Sequence, residues 1–300
     1  MLQLTVSEKG TGSGLLARLQ REVRFLRGLG LDAHLQSFES GSRRFYLCCV
    51  SPAASGSGKG IEVDVAEVAR ASIAIAVKET VLEDWEPRLL TRMIARIRPG
   101  YRREDKARVH QVARAIAQRV GEDAFSERSR VLQRTLDYLS EADFLQLDGF
   151  VRFRLKAYRE ELMDCVRQAV DDLEVEKERE ELIALLKEFI QGRSSEVPVV
   201  HILPAGEERF RLVDQGGAPV EAELFNDFQW DLVDADQVDM EELLITALVS
   251  IAPRRVVCHR PIETGDIPMV ADVFAGKLIT CAGCELCRGP AVPGTEPPSP

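Results

Sequence analysis

Residues 1–60 alternate short apolar segments with turn residues: 2–6 and 43–50 read as strands and 15–29 repeats with helical spacing, a small α/β start. The following stretch 51–60, SPAASGSGKG, has no periodicity and reads as a flexible loop. Asp64, with Glu67 three positions on, has the form of a helix N-cap and its partner, and residues 65–82 are apolar on nearly every face, as in a helix central to a core. Pro87 breaks or restarts that helix. Pro99-Gly100 ends the next segment, and further helices are expected over 103–120 and 125–139.

The clearest period follows Asp148, read as an N-cap: Val151, Leu155, Tyr158, Leu162, Val166, Ala169 and Leu173 form one stripe at three- and four-residue steps. Leu182, Leu185, Leu186 and Phe189 make a second, and both are expected to pack in a core. A helix over the whole of 148–191 is unusually long for a globular domain, so a break is expected in the charged stretch 171–181. Beyond Gly192 the rhythm turns to strands at 197–203 and 209–213, with a turn at 215–217 leading towards 218–223. Asp239 then caps a helix over 240–251. A buried strand over 254–258, a helical connection near 267–274 and a strand over 277–280 complete the pattern. The implied fold is α+β and predominantly helical: a helix-rich domain 1–192, a smaller α/β domain 193–287 ending in Cys-x-x-Cys-x-x-Cys, and a Pro/Gly-rich, disordered tail 288–300.

Composition narrows the class. At 45% hydrophobic and 29% charged the chain is globular, and no apolar run reaches the ~18 residues of a membrane span. Without a secretory signal at its N-terminus, the protein is expected to be soluble and cytoplasmic, its seven cysteines reduced or bound to metal. The net charge of −10 is unevenly spread: residues 88–119 hold ten Lys/Arg against two acids, and 171–250 hold 21 acids against six bases. A basic segment of this kind either meets nucleic acid or an anionic lipid surface, or is a solvated face that pairs with the acidic half of its own chain.

The strongest chemical feature is Cys281, Cys284 and Cys287 at three-residue spacing just after a strand. Zinc suits them, since Cys₃His and Cys₄ are both closed structural sites, and Cys258 or His259 can supply a further ligand if strands 254–258 and 277–280 run parallel and end at one edge. Adjacent strand residues face opposite ways, so only one of those two should reach the site. Ala291 stands where a ferredoxin-type cluster requires its fourth cysteine. Arg152, Arg154, Lys156 and Arg159 beside the apolar stripe are candidate anion binders. No nucleotide cofactor is predicted: Gly56-Ser57-Gly58-Lys59-Gly60 lacks the first glycine and final Ser/Thr of a phosphate loop, and Leu15 replaces the last glycine of the dinucleotide pattern begun at Gly10. The four histidines are scattered, and His201, within a strand pattern, reads as structural.

The run Leu147-Asp148-Gly149-Phe150-Val151-Arg152-Phe153-Arg154-Leu155, then Tyr158-Arg159-Glu160-Glu161-Leu162, residues 243–253 (LLITALVSIAP) and the closing Cys-Ala-Gly-Cys-Glu-Leu-Cys, in this order and spacing, resemble the YtxC family of sporulation-associated proteins. The resemblance is strongest over 144–287. It implies an endospore-forming bacterium and a role in sporulation, but no reaction and no catalytic residues. The resulting expectation is a non-enzymatic interaction or regulatory protein with an unidentified protein partner and a structural zinc. A nucleic-acid-associated protein using helices 88–119 and 150–160, and a metal-dependent enzyme, are the competing expectations.

Overall fold

The computed structural model describes residues 1–10, 14–52, 64–193, 197–204, 210–220, 240–259, 265–284 and 286. Most of the loop expected at 51–60, the end of the strand expected at 218–223, Asp239, Cys287 and the tail 288–300 lie outside them. The fold is α+β and the chain divides into two compact units, Met1–Glu174 and Val175–Pro300.

In the first unit, β1 (Leu2–Lys9), β2 (Leu31–Ser40), β3 (Arg43–Pro52) and β4 (Phe144–Gln146) form a sheet of order β2-β3-β1-β4, antiparallel except for β1 beside β4. β2 carries no strong apolar alternation and escapes the sequence reading. It forms because every residue pairs with β3, and the ring of its exposed Phe38 stacks on Phe45 at 5.1 Å. The core-facing side chains Leu4 and Val6 of β1 and Tyr46 and Cys48 of β3 meet α1 (Leu15–Gly28) and α2 (Val65–Thr80). Asp64 does cap α2, accepting from Ala66 N at 2.8 Å. The chain does not leave the helical path before Pro87 but passes through one π-helical turn, Val81–Trp85, and restarts as α3 (Glu86–Ile97) with Pro87 in its first turn.

α4 (Arg103–Val120) spans the expected residues, but α5 runs only over Val131–Glu141. Residues 121–130 stay in turns because the Glu161 carboxylate accepts from Glu127 N and Arg128 N, at 2.8 and 3.0 Å, from another helix. Two expectations on the long stripe are corrected. Asp148 is not an N-cap; it lies in the first turn of α6 (Leu147–Phe153) and binds Arg43 through both oxygens at 2.8 and 2.7 Å. The break falls at Arg154-Leu155, where Phe150 O accepts from both amides, and α7 (Lys156–Gln191) is continuous through the charged stretch, which holds no Pro or Gly. The first stripe, Val151 to Leu173, is buried at every position.

The second unit is built on a sheet of order β6-β5-β7-β8: β5 (Val199–Pro204), β6 (Phe210–Val213), β7 (Arg255–Cys258) and β8 (Leu278–Thr280). β6 pairs antiparallel to β5, whereas β5, β7 and β8 are parallel, with α8 (Met240–Ile251) before β7 and α9 (Pro268–Val273) crossing from β7 to β8. Val200, Ile202, Val256 and Cys258 pack with Leu244 and Leu248 of α8 and Val270 of α9. On the last turns of α7, Ile183, Leu186 and Ile190 join this core, while Leu182, Leu185 and Phe189 are exposed. The expected stripe has the right period with its phase one residue off.

Candidate metal centre

The register of the parallel strands decides what gathers at the sheet's end. Val256, Val257 and Cys258 pair with Leu278, Ile279 and Thr280, so β7 and β8 finish level, and the ladder continues as Cys281 N donates to Cys258 O at 2.8 Å. Alternation along β7 sends Cys258 into the apolar core, where burial pushes its thiol up to about 11. His259, one residue on, turns to the other face and is fully buried there. The ligand atoms of His259, Cys281 and Cys284 lie within 4.8 Å of one another, a group that could hold a metal ion, and Cys258 is not part of it.

The local chain favours this convergence. Gly283, between the two cysteines, has φ +130, a conformation that a side chain makes strained, and its amide donates to Cys281 Sγ at 3.3 Å. Leu286, two residues past Cys284, lies 3.4 Å from where a Cβ on Gly217 would stand. Gly217 itself has φ +82 in the turn after β6, closed by its amide donating to Asp214 O.

His259 Nδ1 is 3.6 Å from Cys284 Sγ. A tetrahedral ion with Zn–N of about 2.1 Å and Zn–S of about 2.3 Å separates such ligands by about 3.6 Å, so the spacing fits. The other ring nitrogen, Nε2, lies 2.8 Å from His201 Nδ1. Burial first, and each other's proximity second, hold His259 below the usual histidine range; burial lowers His201 as well, against the opposing charge of Asp214. Neutral imidazole is the form that ligates, and a ligating histidine commonly has its second nitrogen fixed by a hydrogen bond. The sequence reading took His201 as structural and did not place it beside His259. The signal lay in the strand pairing: His201 registers with Val257, which shares a face with His259 two residues on.

The four candidate anion binders divide. Arg152 and Arg159 line one cleft of the first unit, whereas Arg154 lies over the Tyr138 ring at 5.5 Å and Lys156 pairs with Glu160 at 3.6 Å. Of the basic segment, Arg88 and Arg92 line the same cleft, and Arg98 pairs with Glu174 at 2.6 Å. Cys48 and Cys165 are buried thiols, as their apolar positions imply.

The chain is thus an α+β protein with a His/Cys/Cys group able to hold a metal, and no helix among its described residues is long and apolar enough to cross a membrane. Residues 71–279 match the YtxC-like family, and the chain belongs to that family. It is similar to the uncharacterized protein YtxC of Bacillus subtilis strain 168, at 24% identity over 162 residues, covering 52% of this chain and 57% of that protein. The chain spans little more than half the length of that relative. No solved structure matches.

Proposed function

We propose that this chain serves sporulation as a non-enzymatic interaction protein whose C-terminal unit is held by a structural zinc ion. The observation that carries the reading is the convergence of His259, Cys281 and Cys284 at the end of two parallel strands, at ligand spacing. Cys287, three positions further along the sequence, supplies the fourth donor of a closed Cys₃His site. Four protein ligands leave no open position for substrate or activated water, which weighs against the metal-dependent enzyme. The nucleic-acid reading needs a continuous basic track, and the pairing of Arg98 with Glu174 and of Lys156 with Glu160 interrupts it. The sporulation role follows from family resemblance.

The test is elemental analysis of protein purified without added metal under reducing conditions, together with identification of copurifying proteins from sporulating cells. About one zinc per chain is expected, lost in His259→Ala and in Cys284→Ser. Metal-free protein that folds normally overturns the zinc reading; a metal-dependent hydrolytic activity overturns the non-enzymatic one.

A further inference from the structure

Away from the metal group, the Met1–Glu174 unit holds a cleft of about 550 Å³ with a cationic lining. Lys9 comes from the end of β1, Trp85 from the π-helical turn, Arg88 and Arg92 from α3, Arg152 from α6 and Arg159 from α7. Asp148 is the acid in the lining, and Arg43 already occupies both of its oxygens. Among the described residues, no salt bridge involves Lys9, Arg92, Arg152 or Arg159. Four cations without acidic partners therefore converge in one concavity of a chain whose net charge is −10. Like charges are costly to gather, and an anion between them removes that cost.

Two further observations point to a ligand. Trp85 Nε1 and Arg159 Nε, both in lining residues, are buried donors with no acceptor among the described residues. Arg159 is at the same time held in place, its Nη1 donating to Arg152 O at 3.2 Å. The π-helical turn adds its own argument, since such turns recur at functional sites. Trp85 closes that turn, and Arg88 and Arg92 follow it at three and seven residues, along one face of α3.

We propose that this cleft binds a phosphate-bearing small molecule of about nucleotide size. Several guanidinium forks exceed what one carboxylate needs and match the oxygens of a di- or triphosphate. Trp85, Leu89 and Val151 add an apolar and aromatic wall for the uncharged part of the ligand. A long nucleic-acid strand fits less well, because Arg98 of the same basic segment pairs with Glu174 at 2.6 Å and does not extend the cationic surface.

The test is isothermal titration of inorganic pyrophosphate, and separately of ATP, into the full chain at low salt. Both should bind, and Arg92→Gln and Arg159→Gln should each weaken binding at least about tenfold, the loss expected for one charge-assisted hydrogen bond. Arg92 is exposed, so its variant should melt like the parent. Arg119→Gln, an exposed arginine outside the lining, should leave both affinities within about twofold. No binding of either probe overturns the proposal. Equal loss in Arg119→Gln and Arg92→Gln reduces it to general charge and overturns it too. Single-stranded RNA that binds and is not displaced by pyrophosphate would assign the cationic surface to nucleic acid instead. None of these outcomes depends on zinc.

Discussion

Glu86 is a carboxylate almost without solvent contact at the start of α3, where it accepts from Tyr158 Oη at 2.6 Å and Arg128 Nε at 2.9 Å. Burial and the neighbouring carboxylate push the Tyr158 hydroxyl far above its ordinary range, so it stays a donor. Arg128→Ala should cost about 3–5 kcal/mol in urea denaturation, because it leaves the charge buried and unpaired. A loss well under 1 kcal/mol would show that the Arg128 contact does not support the buried carboxylate. Asp148 makes a different prediction. The Arg43 guanidinium holds its carboxyl below the usual range against a smaller opposing effect of burial. A depressed folded value means the pair stabilises above the unfolded carboxylate range and is lost as pH falls through the folded one. The stability gap between the parent and Asp148→Asn should therefore be full at neutral pH and shrink below about pH 4; a gap independent of pH refutes the pairing as its source. Tyr158 was legible as part of a stripe. Glu86 was not, because its partners stand 42 and 72 residues away and a helix's first turn commonly carries an acid for local reasons.

At the scale of elements, period survives better than phase or boundaries. In α7 the stripe through Leu162 is buried throughout, so Leu162→Asp should destabilise by several kcal/mol, an unpaired carboxylate in a packed core. Leu185 on the same helix is 64% exposed, so Leu185→Glu should change stability by less than about 0.5 kcal/mol. Thermal and chemical melts of the two variants compare the faces directly, and equal losses would mean that Leu185 is covered in solution. The sequence places both stripes but cannot phase the second, since Leu182, Ile183, Leu185, Leu186, Phe189 and Ile190 allow either face to turn inwards. Charge density in 171–181 suggested a break, yet Asp, Glu, Lys and Arg tolerate helix when no Pro or Gly interrupts. The real break at Arg154-Leu155 carries no Pro or Gly to mark it, and Phe150 O takes two amides there. β2 stayed hidden because its pairing partner defines it, and its own pattern does not.

For the molecule as a whole, the parallel crossover was the legible step that mattered. A strand, a short helix and a strand in sequence put residues 258–259 and 281–284 at one edge provided that the two strands run parallel, and the pairing of β7 with β8 meets that condition. The choice between Cys258 and His259 needed the register, and the His201 contact needed the sheet order. That arrangement makes the last prediction a spatial one. The small unit's sheet ends in three- and four-residue strands, and short parallel pairing contributes little stability alone. Zinc bound by His259 and the cysteines would tie β7 to the chain after β8, and its binding free energy would become folding free energy for that edge. Removing it with a chelator in reducing buffer should therefore speed amide hydrogen exchange at 255–259 and 278–284. Amides in the buried strands and helices of Met1–Glu174, such as those of Val6 and Ile73, should keep their protection, because their core is complete without the metal. The contrast also has a chemical side: in the metal-free protein Cys281 and Cys284 should alkylate ahead of Cys48, whose burial pushes its thiol up to about 12. Exchange that rises equally in both units, or not at all on chelation of a zinc-loaded sample, would separate the metal from the fold of this edge and leave the three residues as neighbours only.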